Sequence, residues 1–195
     1  MCIRDRFRDG EPESRDVDVL LADGTRVVGT VAGLYGETAV RVEFAKLTAK
    51  QRVRAWARLV ALIAAHPGPR WRAVTVGRGS HGGVATAGVG PVDADRARGV
   101  LADLVALHRE GMRAPLPLPT KAALVYARTF TGTGSAGDAL AEATKTWCED
   151  RFPERDDALY VRVFGEKAGP DVLAGPFPDL ALRLWRPLLE AESLR

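Results

Sequence analysis

The sequence predicts an α/β (α+β) domain: an antiparallel meander plus a fourth strand, flanked by helices, with a mainly helical C-terminal extension. Three observations carry this. Short β-branched runs separated by turn signals fill residues 17–45. A capped amphipathic helix opens at Thr48. From Asp93 onward, apolar positions recur at helical spacing between breaks rich in Pro and Gly.

"VDVLLA" (17–22) is strand-like, and Asp23-Gly24 after it signals a type I′ hairpin, in which both central residues take positive φ. "TRVVGTVA" (25–32) is the returning strand, and Gly33 and Gly36 bracket a second turn. "AVRVEFA" (39–45) alternates, with Val40, Val42 and Phe44 on one face and Arg41, Glu43 and Ala45 on the other. Thr48-Ala49-Lys50-Gln51 has capping-box form, and Val53, Trp56, Ala57, Val60, Ile63 and Ala64 give the helix an apolar face until Pro67 ends it. "WRAVTV" (71–76) is the fourth strand, and the glycine-rich stretch 77–91 is read as a mobile loop. Asp93 caps a second helix closing at Gly111. "APLPLP" (114–119) is extended because its three prolines cannot be helical. Helices are expected from Thr120 to about Thr129 and from Asp138 to about Arg151, with a polar turn at 132–137 between them. Residues 153–165 fit either helix or strand, and Leu180–Leu189 reads as a helix bent by Pro187.

Residues 1–6, "MCIRDR", have no period and resemble the translated end sequence that transposase-based library kits attach to DNA fragments. They are set aside as an adapter-derived scar, 7–16 as loop or remnant, and 17–195 as one domain belonging to a longer chain. A hydrophobic share of 46% is enough for a globular core, and no apolar run approaches the ~20 residues a membrane helix needs. Cys148 is the only thiol outside the segment set aside as a scar, which removes an intrachain disulfide and leaves a packed small residue. The net charge of +3 is carried mostly by Arg, as Lys occurs only at 46, 50, 121, 145 and 167. Arg-rich composition follows either from a GC-rich genome or from phosphate contact. Lys50, Arg54 and Arg58 recur every four residues beside the apolar face of the first helix. That stripe is a solvated face or a contact for DNA phosphates or an acidic partner.

Four other features bear on possible chemistry. Glu154, Arg155, Asp156 and Asp157 form an acidic cluster, open to a metal but better suited to complementing a helix dipole. His66, His81 and His108 lack ligand spacing, and "GRGSHGG" (77–83) lacks the Gly-Lys-Ser/Thr ending of a phosphate loop. Trp147 and Trp185 are read as core rather than base-stacking platforms.

Three antiparallel strands, a helix and a fourth strand resemble the αβββαβ core of the PD-(D/E)XK nuclease superfamily without its first helix. "DGTRVVGTVAG", "AWARLVALIAAHP", "WRAVTVGR", "REGMRAPLPLP" and "ERDDALYVRVFG", in that order, resemble the C-terminal region of the RecC family, the gamma subunit of exodeoxyribonuclease V. The resemblance implies an inactive nuclease-like fold with no cutting or motor activity of its own. It implies a role in holding RecB-like and RecD-like subunits together, handling forked duplex and single-stranded DNA and contributing to Chi recognition, in the cytoplasm and away from membranes. ATP and Mg²⁺ would be used by the partner subunits, and this domain would need no cofactor or metal.

Active members of the nuclease superfamily carry an Asp after a glycine-containing strand, then (D/E)-x-K on the next strand, where carboxylates hold Mg²⁺. RecB-type members add Gln-x-x-x-Tyr on the following helix. Here the Asp position falls on Ala32, the second acidic position on Glu43, the Lys position on Ala45, the Gln on Gln51 and the Tyr on Ala55. Lys46 is no substitute, since one residue along a strand reverses the face. No catalytic residue is therefore assigned. Glu43 alone is a strand residue paired with Arg41 or a neighbour. The competing readings are an active Mg²⁺-dependent nuclease with its site rebuilt elsewhere and a protein-interaction domain without DNA contact.

Overall fold

A computed structural model describes residues 11–79 and 82–194. The segment read as a scar, and His81, lie outside the described residues. The chain forms two compact units. The first runs up to Asp103 and includes the C-terminal segment from Ala191; the second is Leu104–Glu190.

The first unit is built on a mixed sheet whose strands follow in chain order: β1 (Glu13–Leu20), β2 (Arg26–Tyr35), β3 (Thr38–Lys46), β4 (Arg72–Arg78), β5 (Val84–Val89) and the short β6 (Glu192–Leu194). All neighbours are antiparallel except β3 and β4, which are parallel and joined by helix α1 (Ala49–Ala65). A parallel pair needs a crossover connection, and α1 supplies it. Trp56, Leu59, Leu62 and Ile63 of α1 are buried, along with Val17, Val19, Val31 and Leu34 of the meander and Ala73, Ala87 and Val89 of the later strands. The capping box is present, with the Gln51 side chain turned back onto Thr48.

Several expectations need correction. β1 begins at Glu13, inside the stretch read as loop, because residues 13–16 pair with β2 while exposing side chains that carry no apolar alternation. In the first hairpin only Gly24 has positive φ (+82°), and Asp23 does not. Leu21 N–H donates to the Thr25 carbonyl and Gly24 N–H to the Leu21 carbonyl, so the loop is three residues ending in a left-handed glycine rather than a two-residue type I′ turn. Gly33 is not part of a turn. It is the extra residue of a β-bulge at φ +79°, where an added Cβ would lie 2.8 Å from the Val40 carbonyl oxygen. The turn proper is Gly36-Glu37, between the paired Tyr35 and Thr38.

The apolar row of β3 does not face the core. Ala39 pairs with buried Leu34 and Arg41 with buried Thr75, so the Ala39–Arg41–Glu43 row lies on the α1 side of the sheet. Val42 on the opposite side is 56% exposed, and Phe44 is 97% exposed. The stretch read as a mobile loop contains β5, which pairs with Ala73 to Arg78 of β4.

Helix α2 (Ala94–Arg113) opens with the Asp93 carboxylate accepting from Arg96 N–H and passes through Gly111 rather than closing there. The second unit is helical, as expected. α3 (Thr120–Thr133) ends at Gly134 with φ +72°, and α4 (Ala136–Thr144) is capped by Ser135 and continues as one π-helical turn at Lys145–Glu149. A 3₁₀ turn (Glu154–Asp156) and α5 (Ala158–Phe164) resolve the ambiguous stretch as helix. α6 (Phe177–Ala191) starts earlier than expected and carries Pro187 inside it. Trp147 and Trp185 are fully buried, and Trp147 Nε1 donates to the Gly169 carbonyl at 2.9 Å. Cys148 is half-buried, its Sγ donating to the Thr144 carbonyl within the helix. No helix among the described residues is long and apolar enough to cross a membrane.

Candidate functional site

Two elements present chemistry on one side of the sheet. α1 carries Lys50, Arg54 and Arg58, all exposed, with Arg54 and Arg58 one helical turn apart. β3 contributes Arg41 and Glu43, which lie two residues apart on the α1 side and are paired through Arg41 Nε and a Glu43 carboxylate oxygen. Glu43 is the more buried of the two, its side chain 18% exposed against 41% for Arg41. The pKa of Arg58 is pushed below the ordinary arginine value, first by partial burial and then by the like charges of Arg41 and Arg54, while Glu43 opposes the shift. The four groups therefore share one electrostatic neighbourhood of three cations and one carboxylate. Among the described residues neither Arg54 nor Arg58 has a carboxylate partner, whereas Lys50 has an interaction of its own within the protein.

The other positions drawn from the nuclease motif are dispersed. Ala32 is exposed and pairs with Ser14, in the row that includes the hydrogen-bonded pair Asp16 and Thr30. That row is on the sheet face opposite Val17, Val19 and Val31, so Ala32 and Glu43 lie on opposite faces. Ala45 is exposed near the end of β3, beyond the register shift that follows Val42. Gln51 is used as an acceptor at the start of α1, taking the Thr48 N–H at 3.1 Å, and Ala55 is half-buried one turn later.

The acidic cluster of the second unit has structural work. Glu154 is buried and accepts the backbone N–H groups of Lys121 and Ala122 at 2.9 and 2.8 Å, satisfying the start of α3. Burial raises its pKa above the ordinary carboxylate value, and the two N–H donors pull the other way. Asp157 caps α5 by accepting from Leu159 N–H at 3.0 Å. No group of three or more His, Cys, Asp or Glu suited to holding a metal is found among the described residues. His66 Nε2 is 2.7 Å from the Asp16 carbonyl oxygen, a link between α1's end and β1.

Sequence reasoning found the α1 stripe but treated Arg41 only as a possible partner for Glu43. It also missed Arg52, which is buried and bonded to Glu192, 140 residues away. Spacing along one helix reveals a stripe; joining it to a residue on a strand requires the sheet register.

Comparison with known proteins adds a lineage to this geometry. The model of the RecC C-terminal domain matches residues 2–131. The RecBCD enzyme subunit RecC of Mycobacterium tuberculosis (strain H37Rv) is 37% identical over 202 aligned positions, covering 95% of this chain and 18% of that protein. The subunit of the same name from Mycolicibacterium smegmatis is 34% identical over 206 positions, with the same coverage. The chain thus spans 18% of the length of these relatives.

Proposed function

Since the chain belongs to the RecC C-terminal domain family, we propose that it serves as a non-catalytic piece of a RecBCD-type helicase-nuclease, scaffolding the complex and handling DNA strands in double-strand break repair by homologous recombination. The observation that carries the non-catalytic half is the state of the would-be metal site. Of its three key positions, Ala45 lacks the amine, Ala32 lacks the acid and lies on the sheet face opposite Glu43, and Glu43 itself is engaged by an arginine. Mg²⁺ is generally held by one or two carboxylates together with substrate phosphates. A single carboxylate facing guanidinium groups is a poor ligand set for it. The parallel β3–α1–β4 crossover after an antiparallel meander supports reading the first unit as a PD-(D/E)XK-like core.

On this reading the domain uses no cofactor. ATP and Mg²⁺ belong to the chemistry of RecB-like and RecD-like partners in the cytoplasm, and Lys50, Arg54 and Arg58 face DNA or a partner subunit. Scaffolding is tested by co-expression with a RecB-like subunit from the same genome. Co-purification in fixed stoichiometry, with better solubility than the chain alone, is expected. A chain that stays monomeric and soluble in the presence of that subunit would argue against the scaffold role.

A further inference from the structure

Resting on the DNA-handling reading above, we infer that Arg41, Arg54 and Arg58 form a metal-independent grip on the phosphodiester backbone of a nucleic-acid strand, with Glu43 holding Arg41 in place. In a nuclease of the motif considered above, the corresponding acid would hold a cation that neutralises the phosphate. Here the acid holds a guanidinium on the α1 side of the sheet, and the guanidinium itself is the neutralising charge. The bond to Glu43 uses Arg41 Nε, which leaves the terminal nitrogens of that guanidinium for an acceptor such as a phosphate oxygen.

Arg54 and Arg58 project from successive turns of α1, both exposed. Three guanidinium groups against one carboxylate leave an excess of two positive charges. The like-charge crowding felt at Arg58 is what an anion placed among these residues would relieve. Planar forked donors that stay charged at any working pH suit phosphate better than a lysine would. Arg58 is also partly desolvated, so its charge is less screened than that of a fully solvated side chain. An acidic protein surface could use the same charges. Nucleic acid is favoured because all three groups are arginines and because the family works on DNA by the reading above.

The test uses fluorescence anisotropy of labelled single-stranded oligo(dT) and of a duplex, titrated with the 195-residue chain across a salt series, in Mg²⁺ and in EDTA. Each phosphate contact contributes about 0.7 to the slope of log K against log salt for a single strand and about 0.9 for duplex. The triple variant Arg41→Ala/Arg54→Ala/Arg58→Ala should therefore lose about 2 units of slope on the single strand, or about 2.7 on duplex. The form gripped is the one whose slope falls by its full expected amount. The triple Arg→Lys variant, a control for folding and charge, should keep the slope and bind more weakly. Binding should be the same in EDTA.

An unchanged slope in the Ala variant, while the parent chain binds DNA, overturns the grip and leaves the DNA-handling reading standing. Binding that requires Mg²⁺ and vanishes in Glu43→Ala overturns the grip in favour of a metal site. A parent chain that binds neither probe overturns the grip together with the DNA-handling reading. If the Ala variant keeps its DNA slope but no longer captures a RecB-like subunit, the stripe serves an acidic protein surface and the proposal fails.

Discussion

Replacing Arg52 by Ala should cost more stability than any other single arginine change in the first unit. Arg52 sits on the inner side of α1, its side chain 6% exposed, and Glu192 on β6 is 5% exposed. Two parallel bonds join them, Nε to Oε1 at 2.6 Å and Nη2 to Oε2. Removing the arginine leaves a carboxylate with no comparable access to water, and breaking a buried pair in this way typically costs about 3–5 kcal/mol. For a chain of this size each kcal/mol moves the melting temperature by about 2–4 °C, so the drop should be about 6–20 °C. The loss should be local in origin. Ala191, just before Glu192, accepts a hydrogen bond from Gly90 N–H at 2.9 Å, and that amide should exchange with solvent much faster in the variant. Replacing both partners, Arg52→Met with Glu192→Leu, should recover most of the stability, because the desolvation penalty disappears along with the pair. Calorimetry on the three variants, with hydrogen exchange at Gly90, decides the matter. A loss under about 1 kcal/mol, the level of a surface pair, would show that Glu192 is solvated and that β6 does not anchor the C-terminus.

Other outcomes follow from single positions. Gly33→Ala should destabilise by about 2 kcal/mol or more in urea titration, since the residue sits at φ +79° and its new Cβ would meet the Val40 carbonyl oxygen at 2.8 Å. Glu154 has a raised pKa, so the folded state binds its proton more tightly than the unfolded chain. Its contribution is therefore full below the ordinary carboxylate range and declines as pH rises through that range to the folded value. Glu154→Gln should flatten that part of the stability–pH curve, while Glu154→Ala should cost about 1–3 kcal/mol by stranding the Lys121 and Ala122 N–H groups. Phe44→Ser should leave the melting temperature unchanged and raise the solubility limit, because Phe44 is 97% exposed and contributes little burial.

Local signals made part of this architecture readable. α1 announces itself by a capping box and a three-four repeat of apolar residues, both confined to one stretch of chain. The β1–β2 hairpin is marked by Asp23-Gly24, although the loop type depends on which residue takes positive φ, a choice settled by pairing. β5 was not readable because Val-Ala-Thr-Ala-Gly-Val has little side-chain volume and is held in place by β4, a partner supplied by tertiary contact. β3 is readable only in part, for a different reason. Alternation tells which residues share a face but not which face is inward, and here the row with Arg41 and Glu43 lies on the helix side. The same ambiguity hid the candidate site. Its helical half, Arg54 and Arg58, is periodic in sequence, while Arg41 joins it only through strand register and the α1 crossover.

The central claim, that this RecC-type domain does not cut DNA, is tested most directly by incubating the purified chain with linear duplex and single-stranded DNA in Mg²⁺ or Mn²⁺, beside Glu43→Ala. A single well-placed electrostatic group is commonly worth about 10²–10³ in rate; Ala45 supplies none, and position 32 lies on the face opposite Glu43 and carries no acid. The account requires no cleavage above background in either protein. Metal-dependent cleavage that disappears in Glu43→Ala would contradict it and restore an active nuclease.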